Sequence, residues 1–463
     1  MTVFTETYRG SVAAWECDQY GHMNVQFYVG RISDAAASTM LAAGMGQSAL
    51  TERGLGIVAV NQNIDYVQEL RAGALIRMES AIKSIEGRKV VFHHRLFDAE
   101  TGALAMQADV LGLCFDLKAR KTTPFPDDLA QGFARLLMDG TESQKPHQIV
   151  PQALPELEDG CLAGYRGPVN AWECDRMGHM NVQFYLGRAA EAVNHVFAAL
   201  DLGATRLRED GLALRPHLHH LVFRREMREA AIGRVISGIR KVSPDRLTIS
   251  HRLLNAETGE VSAQVESEVS LMRAADGEAV PLPDDALLRA EQLAAGFAGP
   301  ETIKPQAGPK APALVQPEML ITSRSMVDRW ECDRNGIMAT RFYMARFSDA
   351  VGNLVAGLGL NPMELHARDV GFAALDYRIV IEQPLRLGQA HSVCSGVLEI
   401  RDKTWRFCHL LLDSRTQAVI ARAEVVSTTF DLKARKSISI PDDLRAAIAK
   451  RLIALPGAEA AAQ

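Results

Sequence analysis

The sequence predicts an α+β protein made of three tandem copies of one domain, each a long helix laid against an antiparallel sheet. Three observations predict it: a motif recurs at domain-sized intervals, an apolar stripe of helical spacing follows it, and strand-like runs joined by turn residues come next.

The motif is AWECDQYGHMNVQFYVGR (Ala14 to Arg31). It returns as AWECDRMGHMNVQFYLGR (Ala171 to Arg188) and, more loosely, as RWECDRNGIMATRFYMAR (Arg329 to Arg346). Asp18, Asp175 and Asp333 stand 157 and 158 residues apart, a spacing that suits whole domains and not solenoid units. His94, His251 and His409 keep the offset in HRLFDAETG, HRLLNAETG and HLLLDSRTQ, and Pro126-Asp127-Asp128, Pro283-Asp284-Asp285 and Pro441-Asp442-Asp443 close the units.

In copy one, Asn24 is the expected N-cap of the helix, and Phe27, Tyr28, Ile32, Ala35 and Met40 fall near helical spacing. Gly44 supplies the stop. Strands are expected over Ile57 to Tyr66, Leu75 to Ser84, Arg88 to Phe97 and Ala103 to Phe115, with DAETG (Asp98 to Gly102) turning between the last two. The domains are placed at 1–140, 161–294 and 320–455. Stretches rich in Pro, Ala and polar residues make 141–160 and 295–319 linkers, and 456–463 is a tail.

With 47% hydrophobic and 23% charged residues the chain can bury substantial cores, and its net charge of -5 gives no electrostatic reason for nucleic acid or an anionic membrane as partner. MTVFTETYRG has no basic segment leading into an apolar stretch, and no run approaches the ~18 apolar residues that span a bilayer, so a cytoplasmic protein is expected. Seven cysteines, an odd number, fit free and mostly buried thiols. No CxxC pair, Cys/His cluster or Gly-rich phosphate loop points to a metal or a nucleotide cofactor, and none is expected.

An Asp, two residues, then Gly-His-Met-Asn and an aromatic-rich helix resembles acyl-CoA thioesterases of the 4-hydroxybenzoyl-CoA thioesterase type. Copies one and two, with W-E-C-D-x-x-G-H-M-N-V-Q-F-Y, look especially like betainyl-CoA thioesterases. The resemblance runs through all three copies and implies the hot-dog fold, in which a sheet wraps a central helix, two units pair edge to edge and active sites form where they meet. Three copies leave an odd one. The expectation is that copies one and two pair within the chain, while copy three pairs with copy three of another chain in a homo-oligomer.

Thioester hydrolysis needs an activated water or a carboxylate nucleophile, plus donors aimed at the oxyanion. Asp18 and Asp175 are the candidates for base or nucleophile, with Asp333 in the degenerate copy. Free amides of the first helical turn, around Asn24, Val25 and Gln26 and around Asn181, Val182 and Gln183, are the candidate oxyanion donors. Gly21 and Gly178 suit the tight turn before the helix. His22 and His179 either hold the Asp or bind substrate, or merely hydrogen-bond across the paired unit. Trp15, Trp172 and Trp330 are read as packing anchors, or, for Trp15 and Trp172, as an aromatic wall for a cationic acyl group. His94, His251 and His409 read as satisfied sheet histidines. Glu69 and Glu226, where copy three has Pro384, are either solvated edge acids or neighbours of the site.

Lys118, Arg120 and Lys121, with Lys433, Arg435 and Lys436 in the identical DLKARK of copy three, are candidates for the CoA phosphates, against the reading of a solvated loop. Copy two keeps only Arg273 there. Copy three retains Asp333 and Gly336 but carries Ile337 and Ala339 in place of His and Asn, with Thr340 as a cap one residue later, which points to an inactive or altered third site. The leading function is hydrolysis of a small or medium acyl-CoA. The alternative is a non-catalytic acyl-CoA-binding or assembly protein. A dehydratase or hydratase would need a different Asp/His arrangement on the helix.

Overall fold

The computed structural model describes residues 4–138, 156–157, 160–175, 177–300 and 302–454, so most of the expected 141–160 linker and all but one residue pair of the domain junction around it, together with the 456–463 tail, lie outside the described residues. Copy one runs β1 (Thr5–Ser11), α1 (Val25–Ala42), α2 (Gln47–Arg53), β2 (Leu55–Tyr66), β3 (Leu75–Glu86), β4 (Lys89–Asp98), β5 (Leu104–Asp116), β6 (Lys121–Thr122) and α3 (Asp127–Ala134). Copy two, preceded by the short β7 (Glu156–Leu157), repeats this as β8 (Cys161–Pro168), α4 (Val182–Ala199), α5 (Ala204–Glu209), β9 (Leu212–Phe223), β10 (Ile232–Ser243), β11 (Arg246–Asn255), β12 (Val261–Arg273), β13 (Ala279–Val280) and α6 (Asp284–Ala295). Copy three is β14 (Leu320–Met326), α7 (Thr340–Gly357), α8 (Pro362–Ala367), β15 (Val370–Ile381), β16 (Ala390–Ile400), β17 (Thr404–Asp413), β18 (Val419–Asp431), β19 (Lys436–Ser437) and α9 (Asp442–Ala449).

The long helix and four strands stand within two residues of their expected bounds. The first strand of each copy and the short helix opened by Pro-Asp-Asp were not anticipated. Asn24 caps α1 by accepting the Gln26 N–H, while Tyr28, Ile32 and Ala35 turn into the core at i, i+4 and i+7. The same tyrosine in each copy pins the segment after the first long strand: Tyr28, Tyr185 and Tyr343 accept through their hydroxyls from the N–H of Leu70 (3.3 Å), Met227 (3.1 Å) and Leu385 (2.9 Å). His94, His251 and His409 are buried sheet histidines, each with Nδ1 on a serine hydroxyl, Ser80, Ser237 or Ser395, at 2.6–2.8 Å. Burial pushes all three imidazoles down to about 3, so they stay neutral.

Within each copy the five main strands are antiparallel, in the order β2-β5-β4-β3-β1 for copy one. Copies two and three join through β9 and β15, with Asp376 opposite Val222, Arg378 opposite His220 and Val380 opposite Leu218. His220 and Arg378 are equivalent residues of the two copies, so a local two-fold passes between them. His220 Nε2 reaches the Asp376 carboxylate at 3.0 Å, α4 packs on α7, and one hydrophobic core spans both copies. Copy one has its own core and joins through its other edge, where β1 meets β8 at the equivalent residues Arg9 and Arg166.

The pairing expected from the repeat is therefore corrected. The extensive edge-to-edge unit is copies two and three, not one and two, and because β15 is occupied by β9, copy three has no such edge left for another chain. Similarity of the helix motif does not choose partners; the exposed face of the edge strand does. β9 buries His219, His220 and Leu221 at the junction, whereas β2 presents the polar and largely exposed NQNID (Asn61 to Asp65).

At the seam of copies one and two, Glu191 accepts from the Ser11 N–H, and His195 meets the Gly10 carbonyl at 3.1 Å. Burial raises the Glu191 carboxyl to about 7, against the pull of Arg31. A carboxyl held above its unfolded value binds its proton more tightly when folded, so its stabilising contribution is complete below about pH 4.5 and is lost as pH rises through 7. Glu191→Gln keeps an acceptor for Ser11 and is expected to flatten this decline: between pH 5 and pH 8 its melting temperature should fall less than that of wild type, as read by differential scanning fluorimetry.

Candidate active site

Each copy builds the same loop ahead of its long helix. Asp18 Oδ1 accepts from the N–H of Tyr20 (2.9 Å) and His22 (3.2 Å), Asp175 Oδ1 from Met177 (2.8 Å) and His179 (3.1 Å), and Asp333 Oδ1 from Asn335 (2.8 Å) and Ile337 (3.0 Å). The backbone closes around the carboxylate, with the Gly21, Gly178 and Gly336 N–H groups on the carbonyls of the three aspartates. These glycines hold φ between +72° and +78°, the left-handed conformation that an L side chain resists.

Of the proposed oxyanion donors, two are already spent. The Asn24 N–H is on the Glu16 carbonyl at 2.8 Å and the Gln26 N–H is on the Asn24 side chain at 3.2 Å; Asn181 and Gln183 repeat this with Glu173 and Asn181. Val25 and Val182, at the first helical position, are the ones whose N–H has no protein acceptor among the described residues, and the helix dipole adds positive potential there. In copy three Ala339 occupies the cap position with no side-chain bond. Thr340 is the first helical residue and does not replace the missing cap.

His22 Nε2 lies 3.1 Å from the Glu69 carboxylate and His179 Nε2 3.1 Å from Glu226. The two acids are thus neighbours of the loop, although Glu69 is also solvated, 65% exposed. Burial holds the His179 imidazole below its ordinary range, with Glu226 pulling the other way and Arg228, whose Nη2 is 2.9 Å from Nε2, adding to the depression. In copy three both members change together, to Ile337 and Pro384. Across the β9–β15 junction Arg435 of copy three pairs with Glu226, so one member of the DLKARK loop reaches the copy-two site. Lys433 instead pairs with Asp369 at 2.7 Å, and Lys118, Arg120, Lys121 and Lys436 lie exposed on the loops after β5 and β18. In copy two Arg273 is tied to Asp276 and Glu278.

Sequence reading passed over a buried ion pair beneath each loop. Glu16 meets Arg31, Glu173 meets Arg188 at 2.9 Å and Glu331 meets Arg346, joining the Glu of W-E-C-D to the Arg 15 residues on. Oε2 of each Glu also accepts a backbone N–H, from Ala13, Asn170 or Asp328. The signal was available: Glu and Arg are invariant among the three motifs. The tryptophans are not buried anchors. Trp172 is 64% and Trp330 51% exposed, and each tryptophan meets a phenylalanine of the long helix edge-on, Trp15 with Phe27, Trp172 with Phe184 and Trp330 with Phe342.

A cavity of about 770 Å³ sits where the three copies meet. It is lined by Trp15, Trp172, Arg341 and Glu191, and it holds the degenerate Asp333, while Asp18 and Asp175 lie outside it. Burial raises the Asp333 carboxyl above the usual range. Arg341, in place of Gln26 and Gln183, lies over the rings of Trp15, Phe184 and Phe342. The third loop is therefore less exposed than the other two, uncapped and beside a fixed cation.

Removing one partner of a buried ion pair costs about 3–5 kcal/mol, since the other charge is left unpaired. Glu173→Ala should lower stability by that order in urea denaturation, and Glu173→Ala with Arg188→Met should recover a large part of it.

No helix among the described residues is long and apolar enough to cross a membrane. No curated protein matches the chain in sequence. Among solved structures it is similar to a putative oleoyl thioesterase from Lactobacillus plantarum (15% identity, 57% of this chain and 94% of that one, TM-score 0.44) and to the 12:0-ACP thioesterase from Umbellularia californica (14%, 58% and 94%, TM-score 0.47). A Staphylococcus aureus hypothetical protein solved in complex with CoA is similar over one copy (15%, 32% and 99%, TM-score 0.28). The family model of the thioesterase-like superfamily matches three times, at residues 12–133, 169–290 and 327–448, and the chain belongs to that superfamily.

Proposed function

We propose that the chain hydrolyses acyl-CoA thioesters of small or medium acyl groups to free acid and CoA, at the Asp18 and Asp175 loops. The observation that carries this is the shared arrangement of copies one and two: a loop-held carboxylate, a capped helix whose first amide is unspent, and a His–Glu pair beside them. The Asp acts on the thioester carbonyl, as general base for water or as nucleophile. The amide of Val25 or Val182 stabilises the oxyanion with help from the helix dipole. Holding Oδ1 by two amides fixes the carboxylate's direction. Copy three serves assembly or acyl binding, since its carboxyl is buried and its cap and imidazole are gone. Trp15, partly buried, and Trp172, exposed, offer ring faces to a cationic acyl group such as betainyl held in the central cavity beside the third loop. Arg120, Lys118 and Lys121 at copy one, and Arg435 with Lys433 and Lys436 at copy two, supply cations for the CoA phosphates.

The test is CoA release from betainyl, short aliphatic and aryl acyl-CoAs. Asp18→Asn and Asp175→Asn keep the Oδ1 acceptor, so the loop keeps its form. Each should remove part of the turnover and the pair should lower it on the order of 10²–10⁴-fold, while Asp333→Asn should leave it near wild type. Wild-type turnover in the double variant would sink the assignment of these aspartates, and silence across the panel would leave acyl-CoA binding or assembly as the function.

A further inference from the structure

The cavity where the three copies meet has a wall from each: Trp15 from copy one, Trp172 and Gly187 from copy two, Arg341 from copy three. Its volume of about 770 Å³ is that of a small-molecule site, ~300–1,000 Å³. Among the arginines that line it, Arg31 holds Glu16 and Asp34, Arg188 holds Glu173, and Arg334 donates to the Ala204 carbonyl at 2.8 Å. Arg341 makes neither a hydrogen bond nor an ion pair among the described residues, and its Nε is buried.

The guanidinium is nevertheless held in place. Its carbon lies 6.0 Å from the centre of the Trp15 ring, 5.4 Å from Phe184 and 4.5 Å from Phe342. Its stem runs along Gly187, where an added Cβ would stand 3.4 Å from the Arg341 Cβ. Burial pushes the group below the ordinary arginine range, against the pull of Glu191, Glu173, Glu16 and Glu331. Three of these acids are already matched by Arg188, Arg31 and Arg346, and burial raises the Glu191 carboxyl to about 7. A positioned, partly desolvated cation whose neighbouring acids are engaged elsewhere is matched by an anion from outside the protein.

The charge belongs to the third helix and not to the repeat, since the equivalent residues are Gln26 and Gln183. A quaternary ammonium entering without an anion meets ring faces that Arg341 already covers in part, and a like charge beside them. A thioester carbonyl brings no charge to offset this. The acid that hydrolysis frees brings a carboxylate, and its remainder fits the tryptophans or the apolar end of the cavity at Phe197, Leu207 and Val269.

We propose that the central cavity binds a free carboxylic acid of the size that the two hydrolytic loops release, with its carboxylate on Arg341 and the rest of the molecule against Trp15 and Trp172. The carboxylate site stands on the geometry of the cavity. That its ligand is the chain's own product rests on the hydrolytic reading.

Calorimetric titration of the full chain without CoA tests this with three probes: betaine; tert-butylacetate, which has the shape of betaine with carbon in place of nitrogen; and choline, which has the ammonium without the carboxylate. Both carboxylates should bind and change the tryptophan fluorescence, and choline should do neither. Arg341→Gln, which installs the residue of the other two copies, should weaken both acids on the order of tenfold or more and leave the circular dichroism spectrum unchanged. Arg341→Lys keeps the charge without the planar fork and should fall between. Asp18→Asn with Asp175→Asn should bind the acids as wild type does, since neither aspartate lines the cavity. Choline binding as tightly as betaine, acid binding indifferent to both Arg341 variants, or no acid binding at millimolar concentration each overturns the proposal. Acid binding that Arg341→Gln removes, in a chain that turns over no thioester, would fault the hydrolytic reading and leave the carboxylate site standing.

Discussion

Everything at the candidate sites rests on a buried carboxylate that stands two residues before each loop aspartate. Glu16, Glu173 and Glu331 each lie buried beneath their loop, the carboxylate accepting from both a helix arginine and a backbone amide. Because the arginine sits on the long helix and the glutamate precedes the aspartate by two residues, the pair fixes the loop to the helix whose first amide is the proposed oxyanion donor. An interaction of this kind adds little net stability over a well-packed apolar pair. Its contribution is direction: the Glu backbone carbonyl also takes the cap residue's N–H, so the loop and the helix start share one frame. The frame survives intact in copy three, which explains how that copy keeps its shape after losing its imidazole and cap.

The three copies are joined by two different edges, and the difference matters more than the repeat itself. Joining through β1 and β8 brings copy one alongside copy two with separate cores. Joining through β9 and β15 merges two cores into one and lets a side chain of one copy act at the loop of the other. The central cavity, lined by all three copies, surrounds the third loop, the one without imidazole or cap, and its walls carry the tryptophans and Arg341.

Much of this was legible in the sequence. The repeat, the helix from Asn24, the strand runs and the turn at Asp98 follow from periodicity and from turn chemistry, which are local. Membership of the thioesterase-like superfamily follows from the Asp motif, and the degeneracy of copy three from two changed letters. The pairing of copies was not legible, because it depends on which edge strand is covered, and β2, β9 and β15 share no residue common to all three at any position, so no local pattern marks the edge that is covered. Nor was the coupling of His22 to Glu69, since 47 residues separate them and only the antiparallel fold brings them together; the joint change to Ile337 and Pro384 was its trace. The Glu–Arg pairs were visible as identities and were passed over because charged residues beside a motif usually read as solvent-facing.

One small feature bears on how such a chain changes over time. Arg120 and Arg435 occupy a left-handed backbone position, φ 55°, that costs a non-glycine residue about 1 kcal/mol, while Gly277 takes φ 83° at the same turn with no such penalty. The local two-fold that sets Arg435 against Glu226 sets Gly277 against Pro384, so glycine at that turn forgoes no ion pair and carries none of the strain. An arginine placed there would bring the strain at once, and a partner for it would need a further change, at Pro384 in another domain.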